Sequence, residues 1–386
     1  MIKLNILFTL YIIHLVTAVD IIEHPFHICT EKRLLVTPIL LGQSERRLNT
    51  VIDIGGEYTW FSNTLHGKFE QGFYCALDNR KYTLTYEDNL NLQGELCYDQ
   101  LNIDTNHSSF IKTNSTTPFI SVEEKINDNL IQAMLAMGNN RNSPQNQYSL
   151  ANGSKSFSIV VSSPYIGSIK FNTKYNHYAS TTKPYASCDA INTNGVKWGC
   201  KLTHIVLGDY EYIYKVKKHV VSVFESIYYK IYVPMDFFNY YYEHLNDVNH
   251  KCKTMEDEHE RYYIQCPFKE VDHLRSFNLV FDNKIFLHLN YNTLIYPKNN
   301  EEMILIIGKV NLDHFIFGSI FFAHYETIFD ANNQKISFVP VHNYNMKLTP
   351  DRKYISFINV KDVFLIGIMI NSIGLSLLFI IKYYFK

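Results

Sequence analysis

Short runs of β-branched and aromatic residues recur along this chain with turn residues between them, and this pattern limits the fold more than any other feature. Runs of this kind typify strands, and they occupy residues 33–41, 81–86, 157–161, 166–171, 203–207, 277–281, 285–289 and 336–340. Helical patterns are few. Residues 235–245, entered at Pro234, form the best one, and residues 128–137 are a second possibility. The sequence therefore predicts a mostly-β globule.

The charge balance excludes one large class of function. Lys and Arg total 36 against 37 Asp and Glu, so the formal net charge is −1. A chain without a basic excess has no electrostatic means of gripping a phosphate backbone. We therefore expect no nucleic-acid partner. Hydrophobic residues make up 46% of the chain, which is enough for a packed core and unlike the composition of disordered chains.

The N-terminus has the pattern of a secretory signal. Residues 1–18 carry a lone Lys3, then an apolar run, and end in Val16-Thr17-Ala18, a small-residue pattern that suits signal peptidase. An uncleaved anchor is the alternative, although the run is shorter than the ~20 residues that a spanning helix needs.

The C-terminus predicts a membrane anchor. Residues 363–381 contain no charge, and the basic tail 382–386 that follows suits the cytoplasmic side of a membrane. A buried core helix is the alternative. With residues 342–362 as a juxtamembrane stalk, the sequence predicts a single-pass type I protein. Its body would be luminal or extracellular, in the endoplasmic reticulum or a later compartment.

The cysteines fit that compartment, because oxidising conditions favour pairing. Cys188/Cys200 and Cys252/Cys266 each close a short loop and are the preferred pairs, with Cys75/Cys97 a third candidate and one cysteine left over. The sequence contains neither Cys-x-x-Cys nor His-x-x-x-His spacing. We expect no metal and no cofactor.

The residues most suggestive of chemistry follow an apolar strand at residues 49–53. Asp53 emerges from this strand before the turn Ile54-Gly55-Gly56, and Trp60 follows seven residues after the Asp. An Asp at the end of a strand is common as an ordinary turn residue. The whole stretch, however, resembles the first active-site segment of the pepsin-like aspartic proteases, in which two hydrophobic residues precede Asp-Thr-Gly-Ser and a Trp follows.

The resemblance continues in order along the chain. Residues 82–99 look like the flap hairpin of that family: Tyr86, Gly94 and Asp99 match, while the glycines of the flap itself are missing. Residues 131–138 are similar to the family's Asp-Gly-Ile-Leu-Gly-Leu-Gly, and residues 315–338 closely follow its C-terminal signature. The resemblance implies an all-β, bilobal fold with lobes at 34–154 and 155–341. It also implies a cleft lined by Tyr86 with Gly55 and Trp60, and a peptide or protein as the substrate or ligand.

The second active-site segment departs from the family pattern. Where the family has Asp-Thr/Ser-Gly, this chain has Glu225-Ser226-Ile227. The family mechanism needs two carboxylates that share a proton across a bound water. Glu is one methylene longer than Asp, Ile227 occupies space that Gly leaves open, and Ile54 replaces a Thr hydroxyl that braces the two lobes. We expect Asp53 and Glu225 to approach each other across a cleft, with a partly exposed strand position for Glu225 as the alternative.

Two functions are consistent with these residues. By resemblance the chain is similar to the membrane-anchored, plasmepsin-like branch of the family, with Asp53 and Glu225 as the catalytic pair of an impaired endopeptidase. The alternative is a catalytically inactive relative whose cleft binds peptides or a protein partner. Nothing in the sequence indicates an oligomeric state.

Overall fold

The structure is a computed structural model, and its described residues all lie within Met1–Val341. These residues are 22–29, 34–41, 47–62, 74–75, 81–85, 91–99, 101–103, 111–112, 117–122, 133–139, 156–163, 165–171, 186–193, 197–208, 212–217, 220–246, 251–257, 260–267, 276–282, 285–289, 296–297 and 302–341.

The first sheet has 16 strands and contains the N-terminal third of the described chain together with strands that return from later in the sequence. Its strands are β1 (Ile22–Ile28), β2 (Leu35–Leu41), β3 (Arg47–Asp53), β4 (Trp60–Ser62), β5 (Tyr74–Cys75), β6 (Lys81–Thr85), β7 (Asn91–Asp99), β8 (Leu101–Ile103), β9 (Ile111–Lys112), β10 (Thr117–Val122), β11 (Ala133–Ala136), β12 (Ser156–Val161), β13 (Ile166–Phe171), β14 (Ala186–Asp189), β27 (Tyr325–Asp330) and β28 (Lys335–Pro340).

The second sheet is formed by the intervening part of the chain and has 12 strands among the residues that the structure describes. Its strands are β15 (Ile191–Thr193), β16 (Lys197–Leu207), β17 (Tyr212–Lys215), β18 (Val221–Phe224), β19 (Ile231–Pro234), β20 (Lys253–Glu256), β21 (Arg261–Pro267), β22 (Phe277–Phe281), β23 (Ile285–Leu289), β24 (Tyr296–Pro297), β25 (Glu302–Lys309) and β26 (Phe315–Phe317). We refer to the two sheets with their attached elements as the first and second lobes.

One α-helix, α1 (Met235–Asn246), stands out among the described residues. It begins directly after Pro234, as the sequence predicts, and its aromatic face is buried against the second sheet through Phe237, Phe238 and Tyr241. A short 3-10 turn, Ser319–Ala323, precedes β27.

The sequence prediction of a mostly-β fold is confirmed, and each of the eight predicted strand segments contains a strand. The possible helix at residues 128–137 is wrong in its described part, because Ala133–Ala136 is β11. All four residues of β11 are buried. A short apolar run buried on both faces has neither the alternation of a surface strand nor enough length to indicate a helix, so periodicity cannot classify it.

Each lobe contains the same local arrangement of strands. In the first lobe, β3 runs parallel to β11, which is antiparallel to β4. In the second, β18 runs parallel to β26, which is antiparallel to β19. Asp53 is the last residue of β3 and Glu225 directly follows β18, so this internal repeat presents one acidic residue from equivalent positions in each lobe.

Two predicted disulfides are confirmed, Cys188–Cys200 and Cys252–Cys266. Cys97 is also disulfide-bonded, and the pairing of β5 with β7 places Cys75 opposite it. Cys29 is a free thiol. In the described segments no helix is long and apolar enough to cross a membrane. The predicted signal (1–18), stalk (342–362), anchor (363–381) and tail (382–386) lie outside the described residues.

Candidate active site

Asp53 and Glu225 lie side by side in the interior, although 172 positions separate the two segments that carry them. Their exposed fractions are 3% and 2%. A Cβ atom placed on Gly55 would be 3.8 Å from Asp53 Oδ1 and 3.5 Å from Glu225 Cδ. Both carboxyl groups therefore border the same small space above Gly55. Their separation is well inside the ~10 Å at which two carboxyl groups can act on one water.

The backbone of the turn after β3 contacts the Asp53 carboxyl group and fixes its position. The Gly55 backbone N–H donates to Asp53 Oδ1 at 3.0 Å. A Cβ on Gly56 would approach Asp53 Oδ2 to 2.5 Å, closer than any real contact, so only glycine fits at this point of the turn. The two glycines after Asp53 thus allow the backbone to approach the carboxylate closely, with Gly55 partly exposed.

Burial and the neighbouring acid change the titration of Asp53. The pKa of Asp53 is raised from 3.8 to about 7, first by burial and then by the negative charge of Glu225, against the lowering effects of the backbone N–H groups of Gly55 and Gly56 and of the Lys197 ammonium. A carboxyl group with a pKa near neutrality can hold or release a proton under mild conditions, which is the property expected of a group used in acid/base chemistry.

Glu225 has a cationic partner that the sequence did not reveal. Lys197 Nζ lies 2.5 Å from Glu225 Oε1, and Lys197 is partly buried, with 24% of its side chain exposed. The Glu225 backbone N–H donates to the Phe317 carbonyl at 3.0 Å. Glu225 is therefore buried and ion-paired, and the alternative of a partly exposed strand glutamate is wrong.

One hydroxyl joins the two acidic segments across the lobes. Ser226 Oγ accepts a hydrogen bond from the Ile54 N–H at 3.0 Å and donates to the Ile52 carbonyl at 2.5 Å. A hydroxyl at position 54 would provide the reciprocal pair of bonds, but the Ile54 side chain is apolar and fully buried. The bracing between the lobes is thus half retained, through Ser226. Trp198 Nε1–H donates a second hydrogen bond between the lobes, to the Met137 carbonyl at 2.9 Å.

Ile227 fills space at the boundary between the lobes. Its half-buried side chain packs against a hydrophobic cluster of the first lobe that includes Trp60, together with Tyr58 and Tyr82. Tyr82 belongs to β6, and β6 and β7 pair as a hairpin from Lys81/Glu95 to Thr85/Asn91. Ile227, which stands at the glycine position of the second active-site segment, therefore packs against a first-lobe cluster to which this hairpin also contributes.

The remaining predicted site residues have different placements. Trp60 is fully buried in the hydrophobic cluster, so its side chain is not exposed to a ligand. Tyr86 lies outside the described residues, directly after β6 of the hairpin. In the described part of the chain, no three His, Cys, Asp or Glu side chains come together in a way that could hold a metal ion.

Comparison with known proteins gives the same family as the motifs. The model of the family described as eukaryotic aspartyl protease matches residues 35–341. No curated protein sequence matches the chain significantly.

Several solved structures share the fold. Conglutin gamma, a basic 7S globulin from lupine seeds, has 12% identity and a TM-score of 0.65, with 83% of this chain and 94% of that chain covered. Basic 7S globulin from soybean has 12% identity and a TM-score of 0.65, with 84% and 95% covered. An aspartic proteinase from Irpex lacteus has 13% identity and a TM-score of 0.62, with 83% and 97% covered.

Proposed function

The chain belongs to the eukaryotic aspartyl protease family, and we propose that it is a membrane-anchored member whose cleft binds peptide or protein segments while its proteolytic turnover is impaired. Asp53 and Glu225 are the candidate catalytic acids. Tyr86, from the segment predicted to form the flap, and Gly55 would contact the ligand, with Trp60 supporting them.

The observation that carries this proposal is the packing of Ile227. A pepsin-type reaction needs a water between the two carboxyl groups, activated by one and oriented by the other. An isoleucine two residues after Glu225 that packs on the first-lobe cluster takes up room which glycine would leave open. The extra methylene of Glu225 adds to the effect, because catalytic groups need to be placed within about half an ångström.

Binding does not depend on that water. A cleft between two lobes, with a hairpin at its edge, offers backbone hydrogen bonds and apolar walls to an extended peptide. The aromatic residues Tyr58 and Tyr82, whose ring centroids are 6.1 Å apart, pack against the same hydrophobic cluster as Ile227 and would provide such a wall. The site therefore retains features useful for holding a peptide while losing those needed to cut it.

The location is part of the same proposal. The disulfides, Cys188–Cys200 and Cys252–Cys266 among them, support an oxidising compartment, as expected for a luminal or extracellular body. Residues 363–381 would form the anchor and 382–386 the cytoplasmic tail. Alkaline carbonate extraction tests this point: the full chain should stay with membranes, whereas a chain ending at residue 362 should be released.

The activity is tested with the full-length chain in detergent, using a peptide library at acid pH with a pepstatin-type inhibitor as control. We expect peptides to bind without appreciable cleavage. Glu225→Asp alone should not restore cleavage, since Ile227 still excludes the water. The triple variant Ile54→Thr, Glu225→Asp, Ile227→Gly should recover some cleavage, because it restores the acid, the space and the second bracing hydroxyl together.

A different outcome would change the assignment. If the unmodified chain cleaves peptides and Asp53→Ala abolishes the cleavage, turnover is intact and Glu225 works as the second acid. If no peptide binds to the unmodified chain or to the triple variant, the cleft has no peptide-binding role and the proposal fails.

A further inference from the structure

Lys197 enters the candidate site from a strand that carries neither acidic residue. It is the first residue of β16, which pairs antiparallel with β18, and its neighbour Trp198 lies opposite Phe224. The register therefore brings Lys197 level with Glu225, the residue after Phe224. The two side chains meet with Nζ and Oε1 2.5 Å apart.

This ion pair bears on the charge state of Glu225. A buried carboxylate is costly unless a counter-charge compensates for the lost solvation. The Lys197 ammonium provides that charge at hydrogen-bond distance, so the ionised form of Glu225 is the favoured one.

The one proton that the two carboxyl groups share then resides on Asp53. Two carboxylates that border one buried space do not both ionise readily. Glu225 is held as a carboxylate by Lys197, whereas Asp53 accepts from the Gly55 N–H and has no cation in direct contact among the described residues. In this part of the chain, the charge of Glu225 raises the pKa of Asp53 and the charge of Lys197 lowers it. With burial as the largest cause, the pKa is raised to about 7.

We propose that Lys197 is a positioning residue that assigns the proton of the carboxyl pair to Asp53 and makes the centre of the cleft electrically neutral. Below neutral pH the site holds a neutral Asp53, an anionic Glu225 and a cationic Lys197. Two carboxyl groups sharing one proton without a lysine would carry one net negative charge instead.

The neutral centre defines the chemical group that the site accepts. Asp53 presents an O–H donor, so an uncharged acceptor such as a peptide carbonyl oxygen fits it, while a cation gains nothing from a centre with no net charge. This specificity rests on the proposed function, since it assumes that the ligand is a peptide. The inference goes beyond that function because it names Lys197 as the residue that selects against a cationic group.

A matched pair of ligands tests the specificity. One peptide carries an ordinary amide at its central bond, and the other carries a methylene-amine there, which is cationic at about pH 5. We expect the wild-type full-length chain in detergent to bind the amide at least about tenfold more tightly. Lys197→Met should remove or reverse this preference, because the uncompensated carboxylate then attracts the cation over a short distance. A wild-type preference for the cationic peptide would overturn the inference.

The charge assignment can also be measured without any ligand. Carboxyl carbons of Asp and Glu are isotope-labelled in the full-length chain, and the NMR signals of Asp53 and Glu225 are assigned by their loss in Asp53→Asn and Glu225→Gln. At about pH 5 the wild type and Lys197→Arg should show a protonated Asp53 and an ionised Glu225. In Lys197→Met, or Lys197→Gln if the methionine variant does not fold, Glu225 should carry the proton in roughly half of the molecules.

The outcomes separate this inference from the proposed function. A protonated Glu225 in the wild type, or a Glu225 that stays ionised without Lys197, overturns the inference whether or not peptides bind. Absence of peptide binding, or efficient cleavage, overturns the proposed function and leaves the charge assignment to be decided by the spectra alone.

Discussion

Replacing Asp53 with Asn should change how the stability of the protein depends on pH. The pKa of Asp53 is raised from 3.8 to about 7 in the folded chain, chiefly by burial and then by the charge of Glu225. Between these two values the folded chain holds a proton that the unfolded chain has released. Stability from this group is therefore fully present below pH 3.8 and is lost as the pH rises to about 7.

The size of the effect follows from the shift. Each unit of pKa difference corresponds to about 1.4 kcal/mol, so the complete loss is about 4 kcal/mol, and about 2 kcal/mol of it falls between pH 5 and pH 7. Asn cannot titrate. The free energy of unfolding of Asp53→Asn, relative to the wild type, should thus rise by about 2 kcal/mol over that interval.

Urea unfolding with intact disulfides measures this difference. The chain has two tryptophans, Trp60 in the first sheet and Trp198 in the second, and both are fully buried, so their fluorescence reports on both lobes. Asp189→Asn makes the same chemical change at an exposed position of β14 and serves as the control. If the difference between Asp53→Asn and wild type stays constant from pH 5 to pH 7, Asp53 does not hold its proton in the folded chain and the electrostatic description of the site is wrong.

Two further variants test the contacts between the lobes. Ser226→Ala removes the hydroxyl that accepts from the Ile54 N–H and leaves this buried donor without its partner, so urea unfolding should show a loss of about 1–3 kcal/mol; an unchanged midpoint would mean that this bond does not join the lobes in solution. Trp198→Phe removes the bond to the Met137 carbonyl and should cost a similar amount, measured by calorimetry, with a cost near zero counting against the contact.

Ser222→Ala is the matched control for the first of these variants. Ser222 is as buried as Ser226, but its hydroxyl donates to the Cys200 carbonyl, within the second sheet. Both substitutions remove a buried hydroxyl, and only Ser226→Ala breaks a contact between the two acidic segments. A larger loss for Ser226→Ala than for Ser222→Ala separates the contribution of interlobe bracing from that of a buried serine in general.

The strands were predictable from sequence because most of them are local patterns. Runs such as residues 277–281 and 285–289 combine β-branched and aromatic residues with turns on either side, and they form β22 and β23 as expected. β11 was missed for a physical reason: burial on both faces removes the alternation that identifies a strand. The internal repeat of β3/β11/β4 and β18/β26/β19 was also invisible, because it is a repeat of topology and no repeat of sequence accompanies it.

The site was predictable only where its residues belong to contiguous motifs. Asp53 and its glycines form one segment, and Glu225-Ser226-Ile227 forms another. Lys197 lies 28 positions before Glu225 and reaches it only through the register of two antiparallel strands. No sequence signal singles out Lys197, because the same strand carries Lys201, which is exposed, and neither lysine reveals its partner without the strand pairing.

The contact of Lys197 gives a second reason why Glu225→Asp alone should fail to restore cleavage. Aspartate is one methylene shorter, so its carboxyl group would withdraw from the Lys197 ammonium, which is itself partly buried. Loss of the partner of a buried charge is costly, and it would leave a cation beside the very position where the water must be activated. The long acid, its lysine and the nearby isoleucine thus form one interdependent arrangement at the second triplet. Restoring one member to the family pattern removes an interaction of the present site without assembling the original one. The triple variant also restores the space and the second hydroxyl but keeps Lys197, and this is why only part of the activity is expected to return.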